Sequence, residues 1–208
     1  MISLAEGGGR NAFAERIGEM FSPGGLLAKA QNFEFREEQR RMAMAVARAF
    51  DENRHLVVEA GTGVGKSMAY LVPAVLHAKE KKRKAIITTH TINLQEQLMF
   101  KDIPLVQKLL PIEFEAALLK GRANYICPHR LKRALAHQGD LFTTPEIAEL
   151  ERIREWMETT RDGTLSDFAE QPDQNVWSLV CSEQHLCTAK TCPPGSGCFF
   201  QEARRRIL

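Results

Sequence analysis

The residues with the clearest chemistry form a glycine-rich loop between an apolar run and a helical pattern. The loop spans Ala60–Ser67, reads A-G-T-G-V-G-K-S, and follows Leu56-Val57-Val58. A turn from strand to helix aims backbone N–H groups and a helix N-terminus at one point, which suits a phosphate group. Lys66 can reach the outer phosphates of a nucleotide, and the Ser67 hydroxyl can ligate Mg²⁺. We therefore predict a nucleotide site formed by Ala60, Gly61, Thr62, Gly63, Val64, Gly65, Lys66 and Ser67.

Clustered cysteines form a second candidate centre. Cys187, Cys192 and Cys198 are separated by four and five residues, and Cys127 lies far upstream. Four thiolates can surround a [4Fe–4S] cluster, whereas structural zinc sites usually show C-x2-C pairs, which this sequence lacks. The spacing favours an iron–sulphur cluster, with zinc or unligated thiols as alternatives. Cys181 has apolar neighbours and is predicted to be a buried structural thiol.

The bulk composition limits the class of protein. The chain has 208 residues, 44% of them hydrophobic, which is enough for one large or two small domains. A net charge of +2 is too small to indicate nucleic-acid binding by itself, although it permits a local basic groove. We find no apolar run of about 18 residues and no secretory signal pattern. An odd number of cysteines then argues against a disulfide framework, and we expect a cytoplasmic location without membrane contact.

The elements around the loop follow an alternating order. Helical patterns cover Asn11–Met20 and Arg36–Phe50, and another runs from the loop to Glu80. Thr91 is predicted to cap the helix that follows it. This order predicts a right-handed parallel α/β unit. The predicted strands are His55–Glu59, Ala85–Thr89 and, less regularly, Phe114–Leu119.

The character of the sequence changes after Lys120. We predict helices at about 129–137 and 145–161, the second capped by Thr144, and a basic helix from Gln201 onward. The cysteine-rich stretch between these helices has little apolar material, so a bound metal centre is expected to fold it.

The order of these features resembles that of the iron–sulphur superfamily 2 DNA helicases, most closely the N-terminal part of the DinG type. Gln39, the loop, the stretch Thr88–Thr91 and the cysteines all match in sequence order. The loop pattern of that superfamily, A-x-x-G-x-G-K-[ST], also accounts for Ala60 where other phosphate loops have glycine. The resemblance implies an α/β fold: a partial RecA-like domain with a parallel sheet, and an inserted, mainly helical iron–sulphur cluster domain. Its implied ranges are 1–32 (an N-terminal helix and link), 33–119 (RecA-like), 120–203 (cluster domain) and 204–208 (return into the RecA-like domain).

The resemblance also implies roles for particular residues. Arg36 and Gln39 would contact the adenine, for which a side-chain amide has both a donor and an acceptor. Thr89 and Thr91 would contact DNA phosphates. Basic residues beside Cys127, including Lys120, Arg122 and Arg130, would hold a single strand, and Tyr125 would stack on a base. The implied cluster ligands are Cys127, Cys187, Cys192 and Cys198.

The implied activity is ATP-dependent 5′-to-3′ translocation and unwinding of single-stranded or forked DNA, in repair or replication. Its implied cofactors are ATP, Mg²⁺ and a [4Fe–4S] cluster, and the protein is expected to be a monomer. The D-E-A-H motif of such helicases does not occur in the sequence. We therefore expect no ATP hydrolysis by these 208 residues alone. The alternative is an iron–sulphur or zinc module that binds nucleic acid without turnover.

Overall fold

A computed structural model describes residues 11–29, 34–137 and 142–207. The chain divides into two compact units, one ending at Ala116 and the other beginning at Ala117. The link predicted near residue 32 lies outside the described residues. Within the described ranges, no helix has the length and apolar character needed to cross a bilayer.

The first unit consists of helices and loops. The helices predicted at 11–20, at 36–50 and up to residue 80 are confirmed to within one residue. A 3-10 turn spans Leu26–Lys29, and a π-helical turn spans Leu98–Asp102. The α-helices are α1 (Ala12–Met20), α2 (Glu37–Asp51), α3 (Lys66–Glu80), α4 (Ile92–Gln97) and α5 (Ile103–Leu109).

Helix α1 is held closely against α2. Asn11 caps α1, because its side chain accepts a hydrogen bond from Ala14 N at 2.9 Å. A Cβ atom at Gly18 would lie 2.7 Å from Met44 Sδ, so glycine is what permits the close approach. Arg40 Nε donates to the Gly18 carbonyl at 3.1 Å and fixes the same contact.

Helix α3 forms the centre of this unit. It packs against α2 and α5 and buries Leu71, Val72 and Ala69 almost completely. Burial of each large apolar side chain contributes about 1.5–3 kcal/mol. The phosphate loop therefore leads into a helix whose apolar side chains lie in the core of the unit.

The predicted parallel sheet has no assigned strands in the part of the chain that the structure describes. Residues 55–59, 85–89 and 114–119 have no assigned strand pairing there. The side chains of Val57 and Ile86 are 96% and 87% exposed, so these apolar residues lack the cover that a core sheet would give them. A strand needs neighbours that pair its N–H and C=O groups. The helical half of the predicted α/β unit is present, and the sheet stays a prediction.

The second unit is also mainly helical. Helices predicted at 129–137, at 145–161 and from residue 201 are confirmed to within two residues. A 3-10 turn at Arg122–Asn124 precedes these helices, and another at Leu165–Asp167 lies between two of them. The α-helices are α6 (Pro128–Ala136), α7 (Thr144–Thr159), α8 (Gln174–Val180) and α9 (Phe199–Ile207).

The sequence prediction missed one helix and misplaced one cap. Helix α8 was not predicted, because a short segment next to the cysteines resembles a loop. Helix α7 is capped by Thr143 and not by Thr144. The Thr143 N–H and hydroxyl donate to Glu146 Oε2 at 2.8 and 2.7 Å, which places the start of the helix one residue earlier.

A short extended segment, Tyr125–Cys127, separates two apolar clusters in the second unit. Ile126 forms an antiparallel bridge with Cys181, and its N–H donates to Gly163 O at 2.8 Å. Side chains alternate along extended chain. Ile126 and Cys181 therefore point into one cluster, and Tyr125 and Cys127 point into the other. The first cluster also contains Leu131, Leu150, Ile153, Phe168, Val176, Trp177 and Val180.

Candidate functional site

The phosphate loop ends where α3 begins. Gly63 and Gly65 have φ values of 80° and 79°, in the left-handed region that favours glycine. Lys66 Nζ donates to the carbonyls of Ala60 and Gly61 at 3.0 and 2.8 Å, so the ammonium group lies over the loop. A helix N-terminus and an ammonium group at the same place attract an anion.

Gln39 anchors this loop from α2. Its side chain is buried, and Nε2 donates to Gly65 O at 2.9 Å. A Cβ atom at Gly65 would lie 2.1 Å from Gln39 Nε2, so the amide and the loop are in direct contact. The predicted adenine contact stays a prediction, and the contact that the structure records for Gln39 is with the loop. Arg36, the other predicted adenine residue, lies just before α2 and pairs with Glu34 at 2.5 Å.

The Ser67 hydroxyl lies in the first turn of α3, beside Tyr70. Burial raises the pKa of Tyr70, and the hydrogen bond with Ser67 partly opposes that rise. Ser67 is therefore held by a neighbour one turn further along the helix. The Ser67 hydroxyl is the group that we predict to ligate Mg²⁺.

The two threonines predicted to contact DNA lie at the start of α4. Thr91 caps that helix, accepting from Leu94 N at 3.3 Å, as the sequence predicted. Thr89 Oγ1 donates to Thr91 O at 3.0 Å. Both hydroxyls thus have local structural roles, and their contact with DNA stays a prediction.

The four predicted cluster ligands come together in the second unit. Cys127, Cys187, Cys192 and Cys198 are each only 1–2% exposed and share one buried cluster with Tyr125 and Phe200. The sulphur atoms of Cys127 and Cys187 are 3.4 Å apart, and all of these cysteines are free thiols. Cys181 packs in the other apolar cluster, which confirms the prediction of a buried thiol.

Backbone N–H groups face two of these sulphur atoms. Burial raises the pKa of Cys127 to about 12, and the N–H groups of His129 and Arg130 at the start of α6 oppose that rise. Burial likewise raises the pKa of Cys198 to about 11, and the N–H of Gln201 in α9 opposes it. Thiols in such an environment ionise only with a positive partner, and bound iron or zinc is such a partner.

Cys187 has the richest set of donors. Burial disfavours its thiolate, but the Ser182 hydroxyl, the Glu183 N–H, the Cys127 thiol and the Arg122 charge outweigh burial and lower its pKa. Arg122 Nη1 also donates to the Cys187 carbonyl at 2.7 Å. Gln201 Nε2 donates to the same carbonyl at 2.9 Å, so the backbone at Cys187 is held from two sides.

Two observations test whether these residues fit a metal centre. No three His, Cys, Asp or Glu side chains among the described residues are arranged to hold a single metal ion. In the same described ranges, the buried hydroxyls of Ser182 and Ser196 have no partner at ordinary hydrogen-bonding geometry. Both serines lie in the cysteine-rich stretch. The four buried free thiols in one cluster are the ligand set that a [4Fe–4S] cluster requires.

The basic residues beside Cys127 have internal partners. Lys120 is 3% exposed, and its Nζ donates to Thr164 Oγ1 at 2.9 Å. The Arg122 guanidinium lies 4.0 Å from the Phe200 ring centroid. Arg130 Nη1 donates to Cys181 O at 2.7 Å. These contacts stabilise the second unit, and burial removes Lys120 from the predicted basic surface.

Tyr125 does not have the exposed ring that base stacking requires. It is 2% exposed, packs edge-on against Phe200 at 5.6 Å, and its hydroxyl accepts from Lys120 N at 3.0 Å. A base could reach the ring only after these residues moved. The prediction that Tyr125 stacks on DNA is therefore not supported by its position.

Comparison with known families adds to this geometry. Residues 37–169 match the family described as DEAD/DEAH box helicase. The chain belongs to the DEAD/DEAH box helicase family. The matched range of this helicase-family chain includes Gln39, the whole phosphate loop, both threonines and Cys127, and it stops before Cys187. Membership implies a RecA-like nucleotide-binding fold, and ATP and Mg²⁺ as its ligands.

Individual relatives agree with this assignment. The chain is 41% identical to the ATP-dependent DNA helicase YoaA of Escherichia coli, over 90% of this chain and 29% of the relative. It is 39% identical to the ATP-dependent helicase DinG of Mycobacterium tuberculosis, over 81% of this chain and 28% of the relative. The ATP-dependent DNA helicase DinG of Photobacterium profundum is 35% identical, over 86% of this chain and 27% of the relative. The helicase-family chain thus spans less than a third of the length of these relatives.

Sequence reasoning missed Ser182 as a buried hydroxyl on the side of the extended segment where the cysteines lie. Its only local signal is its position after Cys181. A serine there has no spacing rule that links it to Cys187. The bridge between Ile126 and Cys181 is what turns Ser182 toward the cysteines, and that pairing joins residues distant in sequence.

Proposed function

We propose that the chain is the ATP-binding and cluster-bearing part of an ATP-dependent DNA helicase. The observation that carries the proposal is the phosphate loop, with left-handed Gly63 and Gly65, Lys66 over the loop, and Gln39 fixed to Gly65. Lys66 would pair with the β- and γ-phosphates, and Ser67 would ligate Mg²⁺. Arg36 and Gln39 would contact the adenine.

The cysteines are proposed to hold a [4Fe–4S] cluster, which supplies a rigid, redox-active crosslink when bound. The ligands would be Cys127, Cys187, Cys192 and Cys198. The start of α6 would then be tied to a segment that is remote in sequence, namely the stretch from the end of α8 to the start of α9. Such a crosslink restricts the unfolded chain and so stabilises the second unit.

The substrate is proposed to be single-stranded or forked DNA, with 5′-to-3′ translocation and a role in repair or replication. The names of the relatives support a DNA substrate. Thr89 and Thr91 at the start of α4 would contact the phosphates, and Arg122 would do so near the cysteines. The protein is proposed to act in the cytoplasm as a monomer.

Turnover is proposed to require residues outside this sequence. Phosphoryl transfer depends on charge clamped around the γ-phosphate and on a positioned water molecule. The D-E-A-H motif that would supply part of this is not in the chain. DNA-stimulated ATP turnover by the purified chain, absent from Lys66→Ala, would contradict this part of the proposal.

Nucleotide binding tests the central proposal. A fluorescent ATP analogue with Mg²⁺ should bind the wild-type chain, and Lys66→Ala should weaken binding about 10- to 100-fold, the range expected for charge-assisted hydrogen bonds. Lys81→Ala, at the far end of α3, is the matched control and should bind normally. Equal affinity of Lys66→Ala and wild type would overturn the proposed site.

A second candidate is a nucleic-acid-binding iron–sulphur or zinc module without turnover, and the buried cysteine cluster is the observation that favours it. Binding of the ATP analogue separates the two functions, because such a module would bind DNA without using the phosphate loop, and Lys66→Ala would leave its properties unchanged. Anaerobic purification followed by iron, sulphide and zinc assays separates the metals. Near-stoichiometric zinc without sulphide would exclude the iron–sulphur cluster.

A further inference from the structure

The Ser182 hydroxyl is a buried donor with an unusual position. Ser182 is 3% exposed, and among the described residues its Oγ atom has no partner at ordinary hydrogen-bonding geometry. Buried hydroxyls are nearly always hydrogen-bonded, so an exception needs a reason. Ser182 follows Cys181 directly and precedes Cys187 by five residues.

Backbone pairing fixes the direction of this side chain. Ser182 N donates to Tyr125 O at 2.7 Å, next to the bridge between Ile126 and Cys181. Side chains alternate along both extended segments. Cys181 points with Ile126 into the apolar cluster, so Ser182 points with Tyr125 to the opposite side, where the cysteines lie.

The Cys187 sulphur is the candidate acceptor for the Ser182 hydroxyl. Of the cysteines in the buried cluster, Cys187 is the nearest to Ser182 along the chain, five residues later. The turn is rigid at this point, because Cys187 N donates to Glu183 O at 2.9 Å and the Cys187 carbonyl accepts from Arg122 and Gln201. A hydroxyl can swing toward a sulphur that becomes more negative, without moving the backbone.

We propose that the Ser182 hydroxyl donates a hydrogen bond to the Cys187 sulphur and thereby raises the reduction potential of the cluster that Cys187 ligates. The inference rests on the proposed iron–sulphur cluster. Reduction adds one electron to the cluster and breaks no bond of the protein. The added negative charge spreads onto the thiolate ligands, so a donor at one of them stabilises the reduced form more than the oxidised form. Ser182 is thus a positioning residue that acts through Cys187.

The test is an anaerobic redox titration with dithionite as the reductant, followed by the paramagnetic resonance signal of the reduced cluster. Ser182→Ala should shift the reduction equilibrium about tenfold toward the oxidised form, which is about 59 mV for one electron. Ser182→Thr keeps the hydroxyl and should stay close to wild type. Ser178→Ala removes a hydroxyl that donates to Asn175 O at 2.7 Å and should change nothing.

Iron and sulphide contents distinguish failure of the proposed cluster from failure of the proposed role of Ser182. A wild-type chain without iron and sulphide would disprove the proposed cluster itself. A fully loaded Ser182→Ala protein whose reduction equilibrium differs less than twofold from wild type would overturn the role of Ser182 alone. Where Ser182→Ala fails to load, Ser182→Thr and Ser182→Val carry the same comparison, since they have similar shapes and differ by the hydroxyl. Equal reduction potentials for Ser182→Thr and Ser182→Val would also overturn the role of Ser182.

Discussion

The three glycines of the phosphate loop allow two contributions to the free energy of unfolding to be separated: that of the backbone conformation and that of the contact with Gln39. Gly61 has an ordinary φ and open space where a Cβ atom would lie, Gly63 has φ 80° and open space, and Gly65 has φ 79° and Gln39 in contact. Alanine is therefore expected to change the free energy of unfolding by a different amount at each position. Gly61→Ala introduces no strain. Gly63→Ala places a Cβ atom on a left-handed backbone. Gly65→Ala does the same and also brings the Cβ atom into a clash with Gln39.

The expected costs follow from these geometries. Gly61→Ala should be neutral or stabilise the fold by about 0.4–1 kcal/mol, because alanine restricts the unfolded chain. Gly63→Ala should cost about 1–2 kcal/mol for the left-handed conformation. Gly65→Ala should cost about 2–5 kcal/mol, since overpacking against Gln39 adds about 1–3 kcal/mol.

A double-mutant cycle isolates the contact. Gln39→Ala alone should cost about 0.5–1.5 kcal/mol for the hydrogen bond to Gly65 O. In that background the clash is gone, so Gly65→Ala should cost only the backbone contribution of about 1–2 kcal/mol. The two substitutions should therefore be coupled by about 1–3 kcal/mol.

Urea unfolding followed by far-ultraviolet circular dichroism gives these free energies. Trp156 and Trp177, the two tryptophans of the chain, both lie in the second unit, so tryptophan fluorescence follows that unit and serves as an internal control. Equal costs for Gly63→Ala and Gly65→Ala would refute the reasoning. So would an undiminished cost of Gly65→Ala in the Gln39→Ala background.

Two further predictions concern the second unit. Cys192→Ser should lose the bound iron and increase proteolysis between residues 162 and 200, because the segment loses its crosslink. Glu149→Gln should destabilise the unit by about 0.5–1 kcal/mol at neutral pH, where the Arg152 hydrogen bond lowers the pKa of Glu149. The difference from wild type should vanish in urea titrations as the pH falls through that lowered pKa, because the wild-type carboxylate then becomes protonated.

Each of these has a matched control. Cys181→Ala removes a thiol of the other apolar cluster and should keep the iron. Protease resistance of Cys192→Ser equal to that of wild type, or resistance of the wild-type segment that is unchanged after metal removal, would contradict the first prediction. Glu151→Gln removes a more exposed partner of Arg154 and should have a smaller effect than Glu149→Gln. A difference in unfolding free energy between Glu149→Gln and wild type that grows as the pH falls would contradict the prediction for Glu149.

Local patterns in the sequence were sufficient to predict several features. The phosphate loop could be predicted from its glycines and Lys66, because left-handed backbone and a terminal ammonium group are local requirements. Thr91 was predictable as a cap for the same reason, since its bond to Leu94 N spans three residues. The helices were predicted from apolar periodicity, and the cap of α7 was misplaced by one residue because two threonines compete there.

The candidate site contained features that no local pattern could indicate. Lys120 resembled a surface cation, yet the fold buries it against Thr164. Tyr125 resembled a stacking platform, yet it packs against Phe200. Both outcomes depend on contacts between residues that are remote in sequence, and the energy of burial is decided by those contacts.

The amino-acid sequence by itself determined the nucleotide loop, the helical segments and the identity of the clustered cysteines, because each depends on residues close together in the chain. Only the tertiary structure decided to which side of the extended segments each side chain points. The bridge between Ile126 and Cys181 sends alternate side chains into an apolar cluster and toward the cysteines. It thereby separates Cys181 from the other thiols and turns Ser182 toward the side where those thiols lie. Pairing across distant segments sets that alternation, and a one-residue shift in register would reverse it.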